Sequence, residues 1–410
     1  MEPVAMNGTL SLVDAAEREW DAVVIGAGPA GCLAARGIAE RNRSVLLVES
    51  KAFPRPKVCG GCLNENSLST LREAGAMPYI DDLGPVPLTG FCLAAGGRNA
   101  TLSLPGGVAV SRAAMDAALA RAAVDSGAEF LPETTAAVGD VSEDCRSIRL
   151  ESHGESRDVS ARIVVAATGL SGRSLSRLEG FQSEEEADSR IGVEATISEF
   201  PAFYGPGVIF MAVASGGYVG LTRVEDGRLN VAAAVDAAAM RGAGGPAAAC
   251  RQILEDVGFP YAKGMPEAEW RGTMKLTRRT ARRAGERLFL VGDAAGYVEP
   301  FTGEGMAWAL AGGSTVVPFV EKGLVDWRPD LAREWEQHYT RLIQNRQWMC
   351  RCLAQGLRRS WLVRTAVPAL ARMPWLARPI ITRLNRDANK SRGESAAARL
   401  STSSRIEAPH

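Results

Sequence analysis

Asp21-Ala-Val-Val-Ile25-Gly26-Ala-Gly28-Pro29-Ala30-Gly31 is the stretch that decides how the rest of this 410-residue sequence is read. Asp21 to Ile25 has the length and apolar content of a short buried strand. Cys32 to Glu40 reads as a helix of small residues, and Val45-Leu-Leu-Val48 as a second buried strand. The opening is therefore βαβ, with Gly26, Gly28 and Gly31 spaced as GxGxxG at the strand-to-helix turn. Glycine at these places permits the tight turn, the close approach of backbone to a pyrophosphate, and close packing of helix on strand, while Pro29 and Ala30 complete the loop. The helix then presents free N–H groups and its positive dipole end to the phosphates. Glu49, eighteen residues after Gly31, closes the second strand next to Ser50. A carboxylate there accepts both ribose hydroxyls of an adenosine and repels a 2′-phosphate.

Strand, helix and acid in register predict dinucleotide binding, and the far end of the sequence says which dinucleotide. Leu288-Phe-Leu-Val291 reads as another buried strand, followed by Gly292-Asp293-Ala-Ala-Gly296 and by Pro300-Phe-Thr-Gly303-Glu304-Gly305 opening a second helix, about 260 residues after the first fingerprint. Taken alone, Asp293 is a helix cap and Pro300 to Gly305 a turn. Paired with the first fingerprint, they point to FAD.

Together with Arg112 in Ser111-Arg-Ala-Ala-Met-Asp116, these segments make the chain resemble the geranylgeranyl reductase family and, more distantly, the aromatic-ring hydroxylases, over roughly 21–320. The resemblance implies a glutathione-reductase-type FAD-binding Rossmann fold. It implies that Asp293 contacts the ribitol chain, and that the helix after Gly303 and Gly305 points its N-terminus at the N1 and O2 side of the flavin, where the reduced ring carries negative charge. It places Arg112 against the FAD, although an arginine opening a helix is also at home in solvent. Pro54-Arg-Pro-Lys57-Val-Cys59-Gly60-Gly61 matches a Lys-x-Cys-Gly-Gly element that lies near the flavin in the reductase branch, and its glycines let backbone approach the ring. Gly169, after the strand Ile163 to Ala167, joins the same set.

Three departures limit the resemblance. Geranylgeranyl reductases carry Tyr-x-Trp-x-Phe-Pro in the lipid pocket, whereas Tyr218-Val-Gly-Leu-Thr-Arg223 keeps only the tyrosine; the wall is expected to be wider and more polar, and Tyr218 reads either as a substrate residue or as a plain sheet residue. Hydroxylases usually have Asp-Gly where this chain has Thr168-Gly169. Cys59-Gly-Gly-Cys62 also fits a redox CxxC. Disulfide reductases on this fold carry a second nucleotide fingerprint that is missing here, so NAD(P)H or another donor must bind transiently. A zinc site would need a second cysteine or histidine pair, and only three histidines exist, so no metal is expected.

Composition sets the outer bounds. Lysine and arginine balance aspartate and glutamate at 47 each, which gives no global field for nucleic acid. The balance is uneven: Arg341 to Arg386 holds ten arginines and no acidic residue, leaving the rest of the chain at about minus ten. This segment carries Trp348, Trp361 and Trp375 and reads either as a solvated helical cap or as a surface for peripheral membrane contact. Neither a signal peptide nor an uncharged spanning stretch is evident, and eight cysteines are too few for a disulfide scaffold, so a cytoplasmic location is expected, peripheral to a membrane if the segment docks.

The predicted organisation is α/β. FAD-binding parts lie at 18–80, 109–180 and 276–330. A sheet excursion at 81–108 and an inserted antiparallel-sheet substrate domain at 181–275 interrupt them. A basic helical region at 331–389 and a tail at 390–410, too polar to pack, complete the chain. The expected activity is FAD-dependent reduction of a C=C bond in a hydrophobic, isoprenoid- or polyketide-like substrate, with Cys59 as the sole proton-donor candidate. The alternatives are hydroxylation of an aromatic or polyketide substrate with oxygen, and CxxC-dependent dithiol chemistry.

Overall fold

The computed structural model describes residues 6–299, 301 and 303–384. Pro300 and the 390–410 tail lie outside them. Strand β1 (Glu19–Ile25), helix α1 (Pro29–Ala39) and strand β2 (Val45–Val48) form the βαβ opening. The helix begins three residues before the expected Cys32, because Pro29 occupies its first turn with φ already helical. Two strands follow, β3 (Gly90–Ala95) and β4 (Arg98–Ser103), then helix α2 (Arg112–Asp125), capped by the Ser111 hydroxyl. Strands β5 (Glu129–Leu131) and β6 (Glu155–Ala166) return to the first sheet.

Next come β7 (Ile191–Ile197), β8 (Val208–Ala214), β9 (Gly217–Arg223), β10 (Leu229–Val235) and β11 (Arg271–Lys275), then β12 (Leu288–Leu290) and helix α3 (Glu304–Val325). Helices α4 (Pro329–Tyr339), α5 (Asn345–Leu357), α6 (Ser360–Arg372) and α7 (Arg378–Leu384) finish the described chain.

Five strands of the eight-stranded first sheet run in the order β12, β6, β1, β2, β5 and are all parallel, with Ala22 opposite Val45 and Ile163 and with Val164 opposite Leu288; Thr135–Val141, Arg146–Ser152 and Ala284–Gly285 add antiparallel strands to it. Its central strands are apolar on both faces because helices cover them: β2 and the last four residues of β6 are fully buried. Helix α1 packs between α2 and α3. A Cβ on Gly313 of α3 would lie 2.1 Å from the Ala30 carbonyl oxygen, so this crossing exists only with glycine there. The strands β1, β2, β6 and β12 end at Ile25, Val48, Ala166 and Leu290, and Gly26, Glu49, Gly169 and Gly292 are thereby gathered at one edge. Ligands of open α/β sheets bind at such carboxyl ends.

The second sheet runs β11, β7, β10, β9, β8, β3, β4. It is antiparallel except between β8 and β3, where Val208 pairs with Gly90 in parallel. The strands within 181–275 pair antiparallel throughout, as expected; the β3–β4 hairpin of the 81–108 excursion arrives from the first third of the chain and enters alongside β8 in the same direction. Alternate residues face opposite ways, so Phe210 and Ala212 pack beneath the helix at Pro246–Val257, while Met211 and Val213 on the other face share a cluster with Val363 and Val367 of α6. Between the two sheets lies a cavity.

Candidate active site

The nucleotide end is shaped by what cannot be there. Gly26 adopts φ 104°, and a Cβ on it would sit 2.4 Å from the Ala167 carbonyl oxygen; one on Gly31 would sit 1.8 Å from the Gly26 carbonyl oxygen. Gly28 differs, since a Cβ there would meet only Arg55 at 3.8 Å, leaving its backbone open to a pyrophosphate. Glu49 is fixed by four donors. The Ala27 N–H and an Arg55 guanidinium N–H reach Oε2 at 3.1 and 3.2 Å, and the Ser50 hydroxyl and Lys51 N–H reach Oε1, each at 3.1 Å.

A buried chain of charge runs inward from Glu49. Arg55 bridges it to Asp116 (3.3 Å), and Asp116 takes both arms of Arg112, from Nε at 2.8 Å and Nη2 at 2.7 Å. Burial disfavours the Arg112 cation, but the bidentate carboxylate more than offsets this and holds it charged. Arg112 is thus buried and paired, one turn from Asp116 on α2, rather than solvated. Neither Arg55 nor Asp116 was expected from the sequence, although both lie inside the quoted segments and the i, i+4 spacing of Arg112 and Asp116 was the available signal.

A cavity of about 420 Å³ collects Gly28, Pro29, Ala30, Lys57, Cys59, Gly60, Arg112, Gly169, Gly292, Asp293, Gly303, Gly305 and Tyr218. Lys57 Nζ stands 3.9 Å from Asp293, and burial lowers its affinity for a proton while Asp293 works the other way. Gly303 caps α3 in the left-handed region at φ 71°, so the first N–H groups of that helix face the cavity. Gly61, at φ 67°, lets the Cys59 loop turn against the Val110 carbonyl, and the Asn230 side chain donates to the Cys59 carbonyl at 2.9 Å, tying the loop to the second sheet.

Other predicted residues lie elsewhere. Gly26, Gly31 and Gly61 shape the backbone behind the cavity, and Ser50 is exposed. The Glu304 carboxylate turns away and accepts from Asn64 at 2.8 Å and the Trp308 indole at 3.1 Å, with burial pushing its pKa up. Any contact Glu304 makes with a cofactor runs through its backbone.

Cys62 is a free thiol, as is Cys59. Burial pushes the Cys62 thiol up to about 12, so it stays protonated at neutral pH, which disfavours dithiol exchange. Among the described residues no group of histidine, cysteine and carboxylates could hold a metal ion.

The opposite wall is apolar. Tyr218 meets Phe301 edge-on at 5.2 Å, and Arg190 lies over its ring at 5.5 Å. Behind it the buried Arg190 pairs with Glu299 at 2.9 Å and with Asp236 at 3.3 Å. Gly220, where the resemblance expects tryptophan, also lines the cavity. Met211 leans over it, so the space opened by the missing ring is partly refilled.

These residues fit a flavin dinucleotide. The Gly28 backbone is open, Arg112 and the α3 N-terminus supply positive potential, and Arg55 Nε and Thr168 Oγ1 are buried polar atoms without a protein partner. The FAD binding domain family matches residues 19–315, and the chain belongs to it. It is an FAD-dependent oxidoreductase.

Within that family it groups with the geranylgeranyl-reductase-related flavoproteins. It is 32% identical over 309 residues to digeranylgeranylglycerophospholipid reductase 1 of Methanopyrus kandleri, covering 71% of this chain and 78% of that protein. A menaquinone reductase of Mycobacterium tuberculosis is 27% identical over 345 residues, covering 77% and 78%. Conditioned medium factor receptor 1 of Dictyostelium discoideum is 28% identical over 319 residues, 72% of this chain, and the chain spans only 62% of that protein's length. Among solved structures, a flavin-dependent brominase superposes with a TM-score of 0.75 at 17% identity, covering 90% of this chain and 94% of that one, which speaks for the fold.

Proposed function

We propose that this enzyme reduces a C=C bond of a hydrophobic, isoprenoid- or polyketide-like substrate with electrons from NAD(P)H or another transient donor. The observation that carries the reading is the continuity of the cavity. It runs without a break from the glycine-lined nucleotide end to a wall of Phe91, Leu93, Met211, Leu276, Leu370 and Ile381. A long apolar molecule fits such a wall, whereas charged groups would be stranded there. The names of the reductase relatives point to lipid and quinone substrates.

Bound FAD supplies hydride chemistry at this junction. The chain's own residues do the rest. Glu49 and the open Gly28 backbone hold the adenosine and pyrophosphate. Asp293 and Lys57 hold the ribitol region, and the α3 N-terminus with Arg112 favours negative charge on the reduced ring. The Cys59 thiol, on a cavity-lining loop anchored by Asn230, delivers the balancing proton in this reading. The apolar wall keeps water out. We further place the protein at the periphery of a membrane, contacting it through 341–386; no helix among the described residues is long and apolar enough to cross one.

The test is anaerobic reduction of the FAD-loaded protein, followed by stopped-flow mixing with polyprenyl and aromatic compounds, with and without oxygen. Reoxidation by an unsaturated lipid at a rate indifferent to oxygen is expected. Oxygen-dependent hydroxylation of an aromatic compound would replace this reading with the monooxygenase one.

A further inference from the structure

The far end of the cavity leaves the protein through the arginine-rich helices. Leu376 and Ile380 line the cavity and are also 39% and 43% exposed, so at this point its wall is the molecular surface. The same run of packed helices carries Trp375, Trp361 and Trp348 at 58%, 64% and 69% exposure, with Met373 and Leu362. Of the eleven exposed large apolar side chains among the described residues, seven lie between Trp348 and Ile380. Exposed apolar side chains concentrated on one run of packed helices, at the mouth of an apolar cavity, mark a binding face.

Its charge names the partner. Arg359, Arg364, Arg372, Arg378 and Arg383 are exposed on the same helices, and no acidic residue interrupts 341–386. Arg358 is used inward instead, pairing with Asp236 at 3.4 Å and approaching Glu299 at 3.9 Å, and α6 packs on β4 and β3. The face is therefore fixed in position over the cavity. Tryptophan prefers the interfacial layer of a bilayer, where its ring is buried and its N–H stays wet, and arginine pairs with anionic headgroups while its stem packs among apolar groups.

We propose that this face docks on an anionic lipid bilayer and that the cavity opens into the bilayer between Leu376 and Ile380, so that a lipid-soluble substrate enters sideways without crossing water. Lateral entry rests on the hydrophobic-substrate reading; docking does not.

The test uses the full-length, FAD-loaded chain. About tenfold more protein should float with phosphatidylglycerol vesicles than with phosphatidylcholine vesicles, and salt should reverse the binding. Phosphatidylglycerol brominated near the headgroup should quench tryptophan fluorescence, and the Trp361→Phe/Trp375→Phe variant should lose most of that quenching. Absence of flotation, or flotation with quenching unchanged in the variant, overturns docking through this face; a protein partner would then be its occupant.

For entry, the anaerobically reduced flavin is reoxidised with menaquinone either in vesicles or in detergent. The Trp361→Ser/Trp375→Ser variant should slow only the vesicle reaction, by about tenfold, in keeping with lost interfacial binding. Equal slowing in both overturns lateral entry. If menaquinone reoxidises the parent in neither medium, the hydrophobic-substrate reading falls and lateral entry with it, while flotation and quenching still decide docking.

Discussion

The two ends of the cavity are built by opposite means. At the nucleotide end, the shape comes from atoms that are missing: Gly26, Gly31 and Gly313 each stand where a Cβ would overlap a carbonyl oxygen. Its electrostatics come from charges locked by other charges, in the series Glu49, Arg55, Asp116, Arg112. At the far end, the shape comes from side chains that are present, and these can be exchanged. Gly220 stands where the resemblance expects an aromatic ring, and Met211 leans into part of the space. The difference follows from what each end must hold. A pyrophosphate has fixed dimensions and a fixed charge, so its cradle tolerates little change; an apolar chain asks only for volume and dryness.

The largest effect expected from breaking this contrast is at Gly31. Gly31→Ala places a methyl group 1.8 Å from the Gly26 carbonyl oxygen, which nothing short of moving α1 off β1 can relieve. The variant should be recovered without flavin absorbance, or not in soluble form; a normally flavinated Gly31→Ala protein would refute the tight-turn account.

Next comes Asp116→Asn. It leaves Arg112 and Arg55 buried with no shared carboxylate, and should cost about 3–5 kcal/mol, as removal of one partner of a buried ion pair typically does. Denaturant unfolding of the FAD-free protein measures it. A loss below about 1 kcal/mol, the range of an exposed pair, would show that the cluster is solvated.

The smallest effect is expected at the far end. Tyr218→Phe keeps the ring against Phe301 and removes only the hydroxyl facing Glu299, which retains Arg190. Stability should fall by no more than about 1 kcal/mol, the net worth of one hydrogen bond, with flavin content unchanged. A loss comparable to that of Asp116→Asn would erase the contrast between the ends.

Much of the nucleotide end was legible in the sequence because its signals are local. A strand, a three-glycine turn, a helix and an acid follow one another within thirty residues or so, and the physics that demands each acts between chain neighbours. Arg55 and Asp116 were within reach of the same logic, since one sits beside Lys57 and the other is a helical turn from Arg112. Glu304 was assigned to the cofactor because its two glycine neighbours are; only the packing of α3 against Asn64 and Asn66, with the Trp308 indole one turn on, shows its carboxylate facing away. The parallel pairing of β3 with β8 was equally hidden, because strand direction in a sheet is set by where a hairpin enters and not by its composition.

The sequence by itself determined that this chain folds around a flavin dinucleotide. Glycine at φ values closed to other residues, and a carboxylate at a strand end, are constraints written one residue at a time. Tertiary structure decided what surrounds the reacting face. Arg190, Glu299, Asp236 and Arg358 meet from four separate segments, and Leu376 and Ile380 become a cavity wall because the turn at Pro374–Ala377 packs on α6, α7 and β4 while α6 lands on β3 and β4. Contacts between residues more than a hundred positions apart are chosen by which surfaces bury each other best, and that sum belongs to the whole fold.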